Sequence, residues 1–285
     1  MKFLARLLKR FARTLAVVGM VIAGSTILIR FAPGYLSDAR EMDSRYGDAA
    51  RVELSAEAAR SATLKQLLWT EMSGWARGDL GVSRQYEAPV VELIAPRLAV
   101  TGGLLLRAIA LAWTLSICAA LVSSARRTST PIWQLPSTIL LAVPTAAMAT
   151  ICMLSDCGGP LLVMMLLVAA RDFKFLDRAL RKAWHDPYLL QARAQGLTTS
   201  RLVYAHILPG VAPQLLALAT LSMVTALSAL VPVEVIFSVP GLGQLAWSAA
   251  MNRDLPVLLA VTIIMAVAVT FAGMFADREG GWQGA

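Results

Sequence analysis

Long apolar runs alternate with charged segments along this chain. The first uncharged run lies between Arg13 and Arg30, close to the ~20 residues a helix needs to cross a bilayer, provided both arginines snorkel toward the headgroups. Residues 32–97 are polar and mixed in sign, with Asp38, Glu41, Asp43, Glu53 and Glu57 interleaved among Arg40, Arg45, Arg51 and Arg60. That segment is predicted outside the membrane, helical from Ser55 to Trp69 and punctuated as loop by Gly74, Gly78 and Gly81. A second span runs from about Leu98 to Ser123 and a third from about Ile132 to Leu154, where Pro136 and Pro144 predict kinks. The run from Pro160 to Ala170 is too short to span alone. A fifth span covers about Val211 to Val233, a loop follows to Leu255, and a last span covers Pro256 to Ala276.

Charge sets the direction of these runs. Lys2, Arg6, Lys9, Arg10 and Arg13 mark a cytoplasmic amino terminus, because basic residues stay on that side. A cleaved signal peptide has the same ingredients, but the Arg30-to-Gly34 exit lacks a small-x-small cleavage site, so an uncleaved anchor is expected. From Arg171 to Gly210, seven basic residues outnumber three acids. Only a fourth crossing, reaching past Arg171, puts that excess on the amino-terminal side. Six crossings then leave the carboxyl terminus cytoplasmic. Arg107 reads either as a contact within the membrane or as a side chain snorkelling to the outer interface.

Composition agrees: 57% of the residues are hydrophobic and 15% charged, against about 25% charged in soluble domains. The net charge of +8 comes from residues flanking apolar runs, not from one basic stripe, so no nucleic-acid partner is expected. Cys118, Cys152 and Cys157 form no ligand pattern and read as small hydrophobes. His185 and His206 lack metal spacing, and neither a nucleophile elbow nor a phosphate loop occurs. No catalytic residue, metal or cofactor is expected, and any ATP that drives this chain binds elsewhere.

The most informative stretch is Tyr188 to Pro209, with Ala192-Arg193-Ala194-Gln195-Gly196-Leu197 followed by His206-Ile207-Leu208-Pro209. Gly196 can take positive φ and end one helix, and Thr198, Thr199 or Ser200 can cap the next. The stretch resembles the cytoplasmic EAA loop of bacterial ABC importer permeases, in which a Leu-Pro stands thirteen residues beyond the glycine. Its Ala-Arg-Ala-x-Gly-Leu form is similar to the dipeptide/oligopeptide class. Three other segments carry the same resemblance: Arg30 to Gly34, Gly78-Asp79-Leu80-Gly81-Val82-Ser83 with Pro89 to Leu98, and Glu234 to Gly243 with Arg253-Asp254-Leu255-Pro256. The leading Glu of the wider family's loop is absent, with Leu190 and Gln191 in the first two places, a departure also common in that class; Pro144-Thr145-Ala146 stands where Pro-x-Phe is usual, and Asp277-Arg278-Glu279 replaces the longer basic tail.

The resemblance implies an all-α inner-membrane protein with six transmembrane helices. Residues 1–31 would hold the cytoplasmic amino terminus and first span, 32–97 a small extracytoplasmic helical segment, and 98–285 a five-helix core with the coupling loop at 186–210. Ala192, Arg193, Ala194, Gly196, Leu197, His206, Leu208 and Pro209 would contact the ATPase. Glu234, at the border of an apolar run, faces either the pathway or the interface. With Pro240, Gly241 and Gly243 it is a candidate for the outer gate, and Pro232 offers a break in the fifth helix that would make this segment re-entrant. Implied partners are a second homologous permease, two cytoplasmic ATPases, an extracytoplasmic substrate-binding protein and membrane lipid. A secondary transporter is the alternative, but it needs intramembrane acids and the apolar runs offer only Glu234. A non-transporting scaffold or degenerate permease is a further one. No residue names the substrate.

Overall fold

A computed structural model describes residues 77–83, 85–125, 134–184, 208–252 and 254–276, with Gly74 and a few positions between 12 and 24. Seven helices fall there: α1 (Val90–Ala125), α2 (Leu135–Ala142), α3 (Thr145–Leu154), α4 (Pro160–Trp184), α5 (Leu208–Ile236), α6 (Leu242–Met251) and α7 (Leu255–Ala276). Among the described residues there is no strand, only an isolated bridge from Val82 to Pro89. Three helical stretches are long and apolar enough to cross a membrane: Val90–Ser123, Gln214–Ile236 and Leu255–Ala272. The α2–α3 pair makes a fourth if its two bent halves count as one span. Most of the first span, most of 32–97 and the tail beyond Ala276 lie outside the described residues.

Several elements differ from expectation. The third span is not one kinked helix. Its halves meet at 99°, and the break falls at Pro144, which stands as N-cap of α3. Pro136 kinks nothing, because it occupies the first turn of α2, where a missing N–H costs no intrahelical bond. Nor does Pro232 end the fifth helix, since α5 runs on to Ile236. Only the bond to the Ser228 carbonyl is lost there, and the last turn continues past it. The stretch before Leu255, expected as loop, contains the ten-residue α6.

The turn after α5 follows from its cap. Ser238 takes φ of 53°, its N–H donates to the Val235 carbonyl at 3.2 Å, and the Val239 N–H donates to the Glu234 carbonyl at 2.8 Å. This paired closure satisfies carbonyls that the helix end would orphan. Pro240 then cannot continue the helix. The end of α3 repeats the device at Asp156 (φ 49°), with Cys157 N–H donating to the Cys152 carbonyl at 3.2 Å.

Two compact units divide the chain, one of Met1–Ala99 with Pro240–Thr270 and one of Val100–Val239 with Phe271–Ala285. The core of the first joins Val90 and Ile94 of α1 to Leu242, Leu245 and Ala249 of α6 and to Val257, Ala260 and Val261 of α7. In the second, Ala120 of α1 and Leu218 of α5 close on Phe173, Leu176 and Leu180 of α4.

Candidate functional site

Most of the expected coupling loop, Ala192, Arg193, Ala194, Gly196, Leu197 and His206, lies outside the described residues. Leu208 and Pro209 open α5, a first-turn position suited to proline. Of the outer candidates, Glu234 ends α5 in the second unit, while Pro240, Gly241 and Gly243 belong to the first. Gly241 is the extended N-cap of α6 (φ −110°) and Gly243 is buried in that helix. The positive φ in this stretch belongs to Ser238, not to Gly241.

Glu234 is fully buried, and Thr101 of α1 donates its hydroxyl to Glu234 Oε1 at 2.7 Å. This is the first of a series of polar contacts that α1 makes along its buried stripe. Trp113 Nε1 donates to Ser222 Oγ of α5 at 3.1 Å, and Ser222 Oγ donates to Asp172 Oδ2 of α4 at 2.8 Å. Ser116 Oγ donates to the Ala169 carbonyl of α4 at 3.0 Å. Ser123 Oγ donates to Asp177 Oδ1 of α4 at 2.9 Å. Arg107 joins no such contact; its Nε bonds the Gly103 carbonyl of its own helix at 2.8 Å.

The acids at the centre of this series were missed by the reading that left Glu234 alone among apolar runs. Asp172 and Asp177 are both fully buried, although they stand in the charged segment taken as a cytoplasmic excess. A sequence signal existed: both acids share the inner face of α4 with Phe173, Leu176 and Leu180 at helical spacing, while Arg178 and Lys182 are exposed. Asp172 Oδ1 has no hydrogen-bond partner, which makes this buried carboxyl costly. Beside it, Arg171 Nη1 donates to Thr225 Oγ1 of α5. Asp177 is better satisfied, accepting from Arg181 Nε at 3.0 and 2.9 Å and from Gln134 Nε2 at 3.1 Å.

Among the described residues, the first unit holds one comparable centre. Asp254 is fully buried and accepts from Ser83 Oγ and from the Gln85 N–H at 3.2 Å. Two segments singled out separately in the sequence, the Gly78-to-Ser83 stretch and Asp254, therefore close on each other across 171 positions. Gly78 and Gly81 have φ of +79° and +80°, a region open to glycine. The Gly81 N–H donates to Asp79 Oδ1 at 2.9 Å, so the Gly-Asp-Leu-Gly run is a side-chain-stabilised turn that delivers Ser83 to Asp254. Cys152 is buried, Cys118 and Cys157 are exposed, and all three are free thiols. Among the described residues no group of His, Cys, Asp and Glu is arranged to hold a metal.

Apolar helices of membrane-crossing length, tied laterally by buried polar contacts, define a multi-pass membrane protein. Residues 112–278 match the family described as binding-protein-dependent transport system inner membrane component. The chain is 25% identical over 280 residues to the oligopeptide transport system permease protein OppB of Haemophilus influenzae, covering 90% of each. It is 25% identical over 283 residues to the glutathione transport system permease protein GsiC of Pectobacterium atrosepticum, covering 93% of this chain and 91% of that one. Over 118 residues it is 30% identical to the metal-staphylopine import system permease protein CntB of Staphylococcus aureus, 41% of this chain and 38% of that one. The family match spans more than half of the sequence. This chain belongs to that family, and it is a transmembrane permease component of an ABC importer.

Proposed function

We propose that this permease pairs with a second, homologous permease to form the pathway for short peptides or a similar small solute. Two cytoplasmic ATPases supply the energy and an extracytoplasmic binding protein delivers the solute. The chain crosses the inner membrane six times with both termini cytoplasmic. Its 186–210 segment is the coupling loop: Gly196 makes the turn, and Ala192, Arg193, Ala194, Leu197, His206, Leu208 and Pro209 present the surface that the ATPase engages. Glu234, Pro240, Gly241 and Gly243 belong to the outer gate. The observation that carries this reading is the family match over 112–278, which contains the Ala-Arg-Ala-x-Gly-Leu segment. The solutes for which the relatives are named, oligopeptides, glutathione and metal-staphylopine, support a small solute of peptide or metal-chelate type.

Gly196 tests the coupling role. A side chain forced into a left-handed turn costs roughly 1–2 kcal/mol, and a β-branched one fares worst. That is small beside the burial of several spans, so Gly196→Val should reach wild-type membrane levels while losing ATPase co-purification and solute uptake, with Gly196→Ala milder. Unchanged association and uptake in the valine variant would remove the coupling assignment. Uptake driven by a proton gradient without ATP would favour a secondary transporter instead.

A further inference from the structure

We propose that Asp177 is a positioning residue that clamps the ends of α1, α2 and α4 into a single lever beside the coupling loop. The proposal rests on the reading that residues 186–210 engage an ATPase. Asp177 lies two helical turns before α4 ends at Trp184, just upstream of that loop. Its carboxylate is fully buried and gathers donors from three elements. Arg181 of α4 holds both oxygens, Ser123 comes from the last turn of α1, and Gln134 is the N-cap residue of α2. Arg181 Nη2 also donates to Ser123 Oγ at 2.8 Å, so the α1 contact is closed from both sides of the ion pair.

Stability alone does not account for such a group. A buried ion pair stabilises little compared with well-packed apolar residues of similar volume. What it adds is direction. The neighbouring contacts among Ala120, Phe173, Leu176 and Leu180 are apolar and impose no angular preference, so beyond the single Ser116–Ala169 bond they leave the end of α4 free to turn against α1. Hydrogen bonds to Asp177 lose strength steeply with misalignment, and three elements aimed at one carboxylate fix their mutual register. Force applied to the loop after Trp184 then moves α1 and α2 with α4 instead of bending α4 away from them.

The experiment uses the assembled importer in proteoliposomes, with the native cysteines replaced and spin labels at Val122 and Lys182, both exposed. Ser123→Ala and Gln134→Leu each cut one tie but keep the ion pair; D177L/R181M removes the whole clamp without leaving a lone buried charge. In wild type the label-to-label distance should be the same in the nucleotide-free and ATP-vanadate-trapped states. In the variants its distribution should broaden, and labelled trialanine uptake per ATP hydrolysed should fall, about tenfold in the double variant and less in the singles. ATPase association should persist throughout. A wild-type distance that changes on trapping, or single variants with unchanged distance and uptake per ATP, would overturn the clamp even if the double variant failed to accumulate. A wild-type complex that binds no ATPase would instead overturn the coupling reading, and the clamp with it.

Discussion

Helices α4 and α7 solve the problem of burial in opposite ways. The 22 residues of α7 contain no charge, and its inner face is aliphatic, with Val257, Ala260 and Val261 closing on α6 and the start of α1. The second half of α4 carries Arg171, Asp172, Lys174, Asp177, Arg178, Arg181 and Lys182. It turns its two acids inward while Arg171, Arg178 and Lys182 remain exposed. The face of α7 that meets α6 is held by area, which tolerates small displacements; the end of α4 is held by directed bonds to identified partners. The difference is between packing that imposes no direction and bonds that fix it.

The comparison predicts that one acid, harmless where α4 has it, is ruinous in α7. Val261 is 1% exposed and its neighbours Val257 and Ala260 offer no donor, so Val261→Asp places an unpaired carboxyl in an apolar core. The cost of an acid near the centre of a spanning helix is about 2.5–3.5 kcal/mol on insertion scales, with the lost packing added to it. Membrane abundance should collapse. Wild-type levels of Val261→Asp, measured by immunoblot of membranes, would mean that the inner face of α7 is not apolar in the folded protein.

A smaller effect is expected within α4's own network. Ser222→Ala removes the acceptor of Trp113 Nε1–H and a donor to Asp172 Oδ2. Leaving buried polar groups unsatisfied costs about 1–3 kcal/mol, which should lower the thermal midpoint in detergent by several degrees. Asp172→Asn should be milder, because it removes a charge whose Oδ1 already lacks a partner. If the asparagine variant melts well below the alanine one, Asp172 contributes more than a tolerated burial.

How much of this was legible follows from the same contrast. The expected span from Val211 to Val233 lies within α5, Leu208–Ile236, and the one from Pro256 to Ala276 matches α7, Leu255–Ala276, because uncharged runs of that length have few other fates in lipid. The helix from Pro160 does run past Arg171 to Trp184, but it is not among the stretches long and apolar enough to cross a membrane, so the fourth crossing expected from charge balance stands as an expectation. The inward turn of Asp172 and Asp177 was missed despite their helical spacing with Phe173, Leu176 and Leu180, since a charged segment beside an apolar run reads first as solvated. So was the bond between Ser83 and Asp254, which lie 171 positions apart. Pro144 located the break in the third span, but its 99° angle depends on how α2 and α3 each pack against α4. Most of the expected coupling loop lies outside the described residues, as do most of the first span and the tail.

The smallest expected effect concerns the turn that ends α5, and it separates backbone strain from side-chain function. Ser238 holds φ of 53°, where a residue with a Cβ sits at a cost of roughly 1–2 kcal/mol. The closure tolerates it because two backbone bonds, to the Val235 and Glu234 carbonyls, need that conformation. Glycine takes it without the steric cost but loses more conformational entropy on folding, about 0.5–1 kcal/mol. The two nearly offset, so Ser238→Gly should leave the thermal midpoint unchanged or raise it slightly. Ser238→Val, which keeps the Cβ and adds branching, should lower it clearly. Uptake by the glycine variant tells the rest: unchanged transport makes Ser238 a cap, whereas lost transport at unchanged stability would mean that the stiffness of this turn, next to Glu234, serves the outer gate.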